Sequence, residues 1–122
     1  MKLYHASPVL IKQFDYTNGV HFGSYESALQ AVLRKSTDVI YIHQVITTHN
    51  KYYLSEDVGG FDRWLDVIDQ AEEYGYDVIG YKNLYEPSTS KSYVFINDKY
   101  ITIQSVEKIT VEEAEVYLDC HF

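Results

Sequence analysis

A chain of 122 residues has room for one hydrophobic core, so a single domain over 1–122 is expected. Its 46% hydrophobic and 23% charged residues give a globular balance and exclude a disordered or fibrous chain. The net charge of −8, with Arg34 and Arg63 as the sole arginines, argues against a protein that tracks nucleic-acid phosphates with a Lys/Arg face.

Residues 2–6 (KLYHA) read as a short strand that stops at Ser7-Pro8, because Pro8 has no N–H and biases Ser7 toward extended geometry. A loop over 9–18 closes on the Asn18-Gly19 turn pair, and 20–22 (VHF) form a very short strand. Ser24 is placed to cap a helix over 25–35, whose apolar face holds Ala28, Leu29, Val32 and Leu33. The clearest strand is 38–48. Ile40, Ile42 and Ile46 share one face, Val39, Tyr41, His43 and Val45 the other, and two apolar faces predict a central position. A polar loop over 49–60 ends in Gly59-Gly60. Phe61, Trp64, Leu65, Ile68 and Ala71 recur at helical spacing in a helix over 62–74, with Gly75 as its stop. Trp64, Leu65 and Ile68 are expected to pack on the 38–48 strand. A strand over 78–81 and a loop over 83–91 follow, then 92–97 and 100–106, read as a hairpin turning at Asp98-Lys99. Thr110 and Glu113 form a capping box for a last helix over 111–119. Helices do not alternate strictly with strands, which predicts an α+β fold with about three helices.

No stretch approaches the roughly 20 apolar residues of a membrane span, so no membrane partner is expected. The opening MKLYHASPVL is too polar for a secretory signal, and the single Cys120 can form no internal disulfide. Both point to a cytoplasmic setting. The chain has no glycine-rich phosphate loop and no GxSxG elbow, and its five histidines show no zinc spacing, so no metal is expected. What remains is a set of polar residues at element ends. His5 closes the first strand, His21 sits between Gly19 and Gly23, and Asn83 and Glu86 lie in the loop after 78–81. Taken singly, each reads more readily as ordinary structure than as a site: a strand-end histidine bonded to a carbonyl, or a solvated loop carboxylate.

Taken together and in order, these segments resemble a known family. LYHAS, then GVHFGS leading into a helix, is similar to the opening of the ADP-ribosyltransferase fold in its polymerase and diphtheria-toxin branch. GYDVIGYKNLYEPSTSKSYVFINDKYITIQSVEKI is similar to the ending of small bacterial and phage members. The resemblance covers both ends of the chain; residues 25–75 carry little of it. It implies a split β fold holding NAD⁺ as substrate in a cleft. His5 would bind the ribose hydroxyls. Ala6, where the family has Gly, would offer its backbone to the nicotinamide amide, with Ser7 beside it. His21 stands where the ring-stacking Tyr is usual, and Phe22 and Ser24 would line the nicotinamide pocket. Asn83, Glu86 and Ser92 would face the same cleft. Ser92 stands where the polymerase-type glutamate starts a strand, so Glu86 becomes the expected acid, with His5 and His21 beside it in catalysis. Glu56 or Asp57 of the central loop are the alternatives. The scarcity of arginines argues against the RNA 2′-phosphotransferase relatives.

The expected activity is mono-ADP-ribosylation of a macromolecule, a protein rather than a nucleic acid given the charge. A phage counter-defence effector or a toxin would suit so small an enzyme. The alternatives are a binding module with the same fold and no catalysis, and an acidic mimic that blocks a basic groove.

Overall fold

The computed structural model describes residues 1–35, 38–48, 51–59, 61–82 and 91–121. In chain order the elements are β1 (Lys2–Ser7), β2 (Val20–Phe22), α1 (Tyr25–Leu33), β3 (Val39–Ile46), β4 (Tyr53–Ser55), α2 (Phe61–Glu73), β5 (Val78–Lys82), β6 (Lys91–Phe95), β7 (Thr102–Thr110) and α3 (Val111–His121). Among the described residues this is a mixed α+β fold of three helices and two sheets.

One sheet runs β1-β3-β7 and is antiparallel throughout; the other runs β2-β6-β5-β4, with β4 parallel to β5. β3 is central in its sheet, as its two apolar faces require. Ile40 and Ile42 bury one face under Leu29 and Val32 of α1 and Ala114 of α3. Val45 and Leu3 turn the other way, onto Phe14, Val20, Phe22 and Phe95. That second cluster joins the two sheets, so the sheets lie inside and the helices outside. α2 covers the far side of the second sheet with Trp64, Ile68 and Ala71 against Ile79, Tyr81 and Val94.

Among the described residues the two sheets are bridged through the backbone where β1 meets the end of β2. The Tyr4 N–H donates to the Gly23 carbonyl at 2.8 Å, and the Gly23 N–H donates back to Tyr4 at 3.0 Å. A Cβ on Gly23 would stand 2.8 Å from the Ser92 Oγ and 3.3 Å from the Ser27 Cβ, so a larger residue at the end of β2 would have to displace both side chains.

The capping signals act as read. The Ser24 Oγ accepts the Ser27 N–H at 3.1 Å, starting α1. Thr110 and Glu113 exchange the two bonds of a capping box at 3.1 Å each, starting α3. Gly75, at φ 80°, ends α2; its N–H bonds the Glu72 carbonyl and the Tyr76 N–H bonds the Ala71 carbonyl, a Schellman closure.

Three expectations are corrected. First, 92–97 and 100–106 do not form a hairpin. β6 already pairs with β2 on one edge and β5 on the other, so it has no edge left, and β7 crosses to pair with β3. Second, α2 packs on β5 and β6, not on β3, and Leu65 is 36% exposed beside buried Trp64 and Ile68. The buried stripe runs through positions 64, 68 and 71, and Leu65 lies just off it. Third, the 49–60 loop contains β4, a three-residue edge strand whose Leu54 faces solvent and therefore shows no burial pattern.

Candidate functional site

The seam between the sheets opens into a cavity of about 730 Å³, flanked by α1 on one side and α2 on the other. That volume lies within the usual 300–1,000 Å³ range of small-molecule sites. Asp57, one of the two alternative acids, lines it from the loop before α2, and five of the expected NAD⁺-site residues line it as well: His5, Ala6, His21, Phe22 and Ser92. These five come from β1, β2 and β6, segments far apart in the chain, and the Tyr4–Gly23 seam is what brings them together.

The two histidines are coupled through the backbone. The His5 Nδ1–H donates to the carbonyl of His21 at 2.7 Å, leaving Nε2 as the ring's acceptor. The His5 ring packs edge-on against Phe14 at 5.4 Å and tilted against Phe22 at 5.8 Å. Burial lowers its proton affinity below the usual histidine value; the hydrogen bond to the His21 carbonyl opposes this, and His43 and Lys35 add smaller lowering contributions. His21 points to the α2 side. Its Nδ1 is 2.8 Å from the Tyr81 hydroxyl, and its ring lies edge-on to Trp64 at 5.1 Å. Trp64 and Tyr81 meet at 4.7 Å, so the three rings form one aromatic wall. Burial lowers the His21 pKa to about 4; nearby His5 adds to this and Asp57 opposes it. Both histidines are therefore neutral near pH 7: His5 offers Nε2 as an acceptor, and His21 offers Nε2 as a donor or an acceptor according to whether its Nδ1 accepts from or donates to Tyr81.

Ser92 is buried, at 3% exposure, on the same face of β6 as Val94. Phe22 contributes to the wall while its ring is held in the core against Phe14 and Phe95. Ser7 and Ser24 take up local duties instead. The Ser7 Oγ accepts the Val9 N–H at 3.2 Å where the chain turns at Pro8, and Ser24 caps α1; the described cavity wall includes neither. Asn83 and Glu86 lie outside the described residues.

Sequence reasoning did not assign several wall residues to the site. Trp64 was legible only as core, and Tyr81 only as part of an apolar strand. Arg34, Lys35 and Arg63 also line the cavity, with Gly59 from the loop before α2. Both arginines of the chain thus stand at one cavity. Their scarcity was visible in the composition; their convergence depends on α1 ending and α2 beginning at the same mouth. Among the described residues no group of three or more His, Cys, Asp or Glu side chains could hold a metal ion, and no helix is long and apolar enough to cross a membrane.

No protein-family model, curated protein or solved structure matches the chain.

Proposed function

We propose that the chain is an NAD⁺-dependent mono-ADP-ribosyltransferase with an ADP-ribosyltransferase-like split β fold. The observation that carries this reading is the meeting of LYHAS, GVHFGS and Ser92 at one cavity, since each was read as part of an NAD⁺ site from a separate stretch of sequence. The cavity's size and its aromatic wall suit a nicotinamide and its ribose.

In this reading the His5 Nε2 accepts a ribose hydroxyl while Nδ1 stays fixed to the His21 carbonyl. The rings of His21, Trp64 and Tyr81 hold the nicotinamide flat side. The C1′–N bond breaks, nicotinamide leaves with the bonding electrons, and the oxocarbenium-like ribose takes a lone pair from the acceptor, whose proton passes to solvent or a base. A carboxylate near the 2′-OH stabilises that charge. Glu86 is the acid that the family resemblance assigns. Asp57 is the acid on the described wall, its Oδ1 also accepting the Gly59 N–H at 3.0 Å.

Lysate incubated with labelled NAD⁺ and the protein tests the activity: a labelled protein band with nicotinamide release is expected. Glu86→Gln is expected to cut labelling at least about a hundredfold while NAD⁺ affinity stays within about threefold. If Glu86→Gln labels normally and Asp57→Asn does not, the acid is Asp57. No labelling and no nicotinamide release in any lysate would sink the enzymatic reading. The second reading, a binding module without catalysis, is favoured by His21 and Ser92 standing where the family has Tyr and Glu; capture of a partner without nicotinamide release supports it.

A further inference from the structure

We propose that Arg34, Lys35 and Arg63 form a subsite for the diphosphate of a nucleotide at the mouth of this cavity. All three line it and all three are exposed, so their charges stand at its rim. They are three of the chain's ten cationic side chains, in a protein of net charge −8. Such a chain repels anions over most of its surface, and a local reversal of sign is where an anionic ligand is focused. With Asp57 the one acid on the described wall, the wall carries a formal charge of +2. A dinucleotide diphosphate carries two negative charges.

Helix electrostatics account for only part of this cluster. Arg34 is the C-cap of α1 and Lys35 follows it, positions where a cation complements the negative end of the helix. Arg63 lies in the first turn of α2, where a cation opposes the helix dipole. That position is unfavourable for the helix by itself, and an anion bound beside Arg63 would offset the cost. Arg63 also neighbours Trp64 in sequence, and Trp64 forms the aromatic wall with His21. The subsite thus adjoins the ring-binding wall, as the charged and flat parts of one ligand require. Arginine's planar fork suits paired phosphate oxygens.

The identity of the anion as a diphosphate rests on the NAD⁺ reading; the presence of an anion site does not. The test uses ADP, ADP-ribose, inorganic pyrophosphate and adenosine, titrated by calorimetry and by the fluorescence of Trp64, the sole tryptophan, which lies on the wall. ADP is expected to bind at least about tenfold more tightly than adenosine, the scale of charge-assisted hydrogen bonds gained. Arg63→Gln is expected to weaken ADP by about tenfold and leave adenosine unchanged, Arg63→Lys is expected to fall between, and added salt is expected to narrow the gap. Arg63 is exposed, so its variants should keep the wild-type melting temperature, and that is measured alongside. Equal affinity for ADP and adenosine, or full ADP affinity in both Arg63→Gln and the Arg34→Gln/Lys35→Gln double variant, overturns the subsite. NAD⁺ binding that survives in those variants leaves the NAD⁺ reading standing without it. Arginine-dependent binding of ADP and pyrophosphate with no binding of NAD⁺ or ADP-ribose keeps the subsite and removes the NAD⁺ reading.

Discussion

His43 and the pair His5–His21 lie within a few residues of each other across the strands, yet the two regions use the same side chain in opposite ways. His43 is fully buried. Its Nε2 accepts the Ile11 N–H at 2.9 Å, and its Nδ1–H donates to the His5 carbonyl at 3.1 Å. Both ring nitrogens are spent on backbone, which fixes the tautomer and pins the loop between β1 and β2 onto β3. His5 and His21 are bonded at Nδ1, to a carbonyl and a hydroxyl, and both line the cavity. What separates a structural histidine from a candidate ligand-binding one is therefore which nitrogens the fold has already taken. In sequence all three are simply histidines on strands.

The sharpest way to break the comparison is His43→Ala. It leaves a void under the loop, and the Ile11 N–H and His5 carbonyl lose a partner. The expected loss of stability is about 3–5 kcal/mol, measured by denaturant unfolding. The fraction that remains folded should bind NAD⁺ normally. A loss below about 1 kcal/mol would place His43 outside the structural role.

His5→Ala is the converse test. It removes one hydrogen bond to the His21 carbonyl and some ring packing, for about 1–2 kcal/mol of stability. NAD⁺ affinity is expected to fall by about 1.5–3 kcal/mol by calorimetry. Unchanged affinity would remove His5 from the ligand site and make it resemble His43.

Acid sharpens the comparison further. The His21 pKa is lowered to about 4, against an ordinary value near 6.5. Between those values the unfolded chain binds a proton that the folded chain refuses. This contribution to stability is complete above about pH 6.5 and is lost as the pH falls toward about 4, at up to about 1.4 kcal/mol per pH unit. His5 and His43 act in the same direction, since burial lowers both. His21→Phe should make the stability-versus-pH profile shallower in that window. A profile of the same slope would show that His21 is charged in the folded protein.

Local signals in the sequence transferred well to the structure, and pairing signals did not. Ser24, Thr110-Glu113 and Gly75 each act within four residues, so their partners are written beside them in the chain. The two motifs LYHAS and GVHFGS needed only one further contact, the Tyr4–Gly23 seam, to become neighbours. The β6–β7 hairpin failed because turn chemistry at Asp98-Lys99 says nothing about whether β6 has a free edge. β4 was hidden because a three-residue strand with an exposed Leu54 has no periodicity to read. The cationic rim was hidden for the same reason as the hairpin's failure: Arg34 and Arg63 lie 29 positions apart, and only the tertiary placement of α1 and α2 puts them at one mouth.

Tyr81→Phe gives the smallest expected effect and the finest distinction between the two regions. His43 is held by backbone groups that side-chain truncation at a partner leaves in place, whereas His21 is held in part by a side-chain hydroxyl. Phenylalanine keeps the ring that packs on Trp64 at 4.7 Å and on His21 at 5.6 Å. It deletes the oxygen 2.8 Å from the His21 Nδ1. The expected cost is about 0.5–1.5 kcal/mol of stability. Because Tyr81 and His21 touch, their effects should not add: in a double-mutant cycle with His21→Phe, a coupling of about 0.5–1.5 kcal/mol is expected. Coupling within about 0.3 kcal/mol of zero would mean that the aromatic wall, and not the hydroxyl, orients His21. His21 would then be free to turn its Nδ1 toward a bound ligand, and the contrast with His43 would widen rather than close.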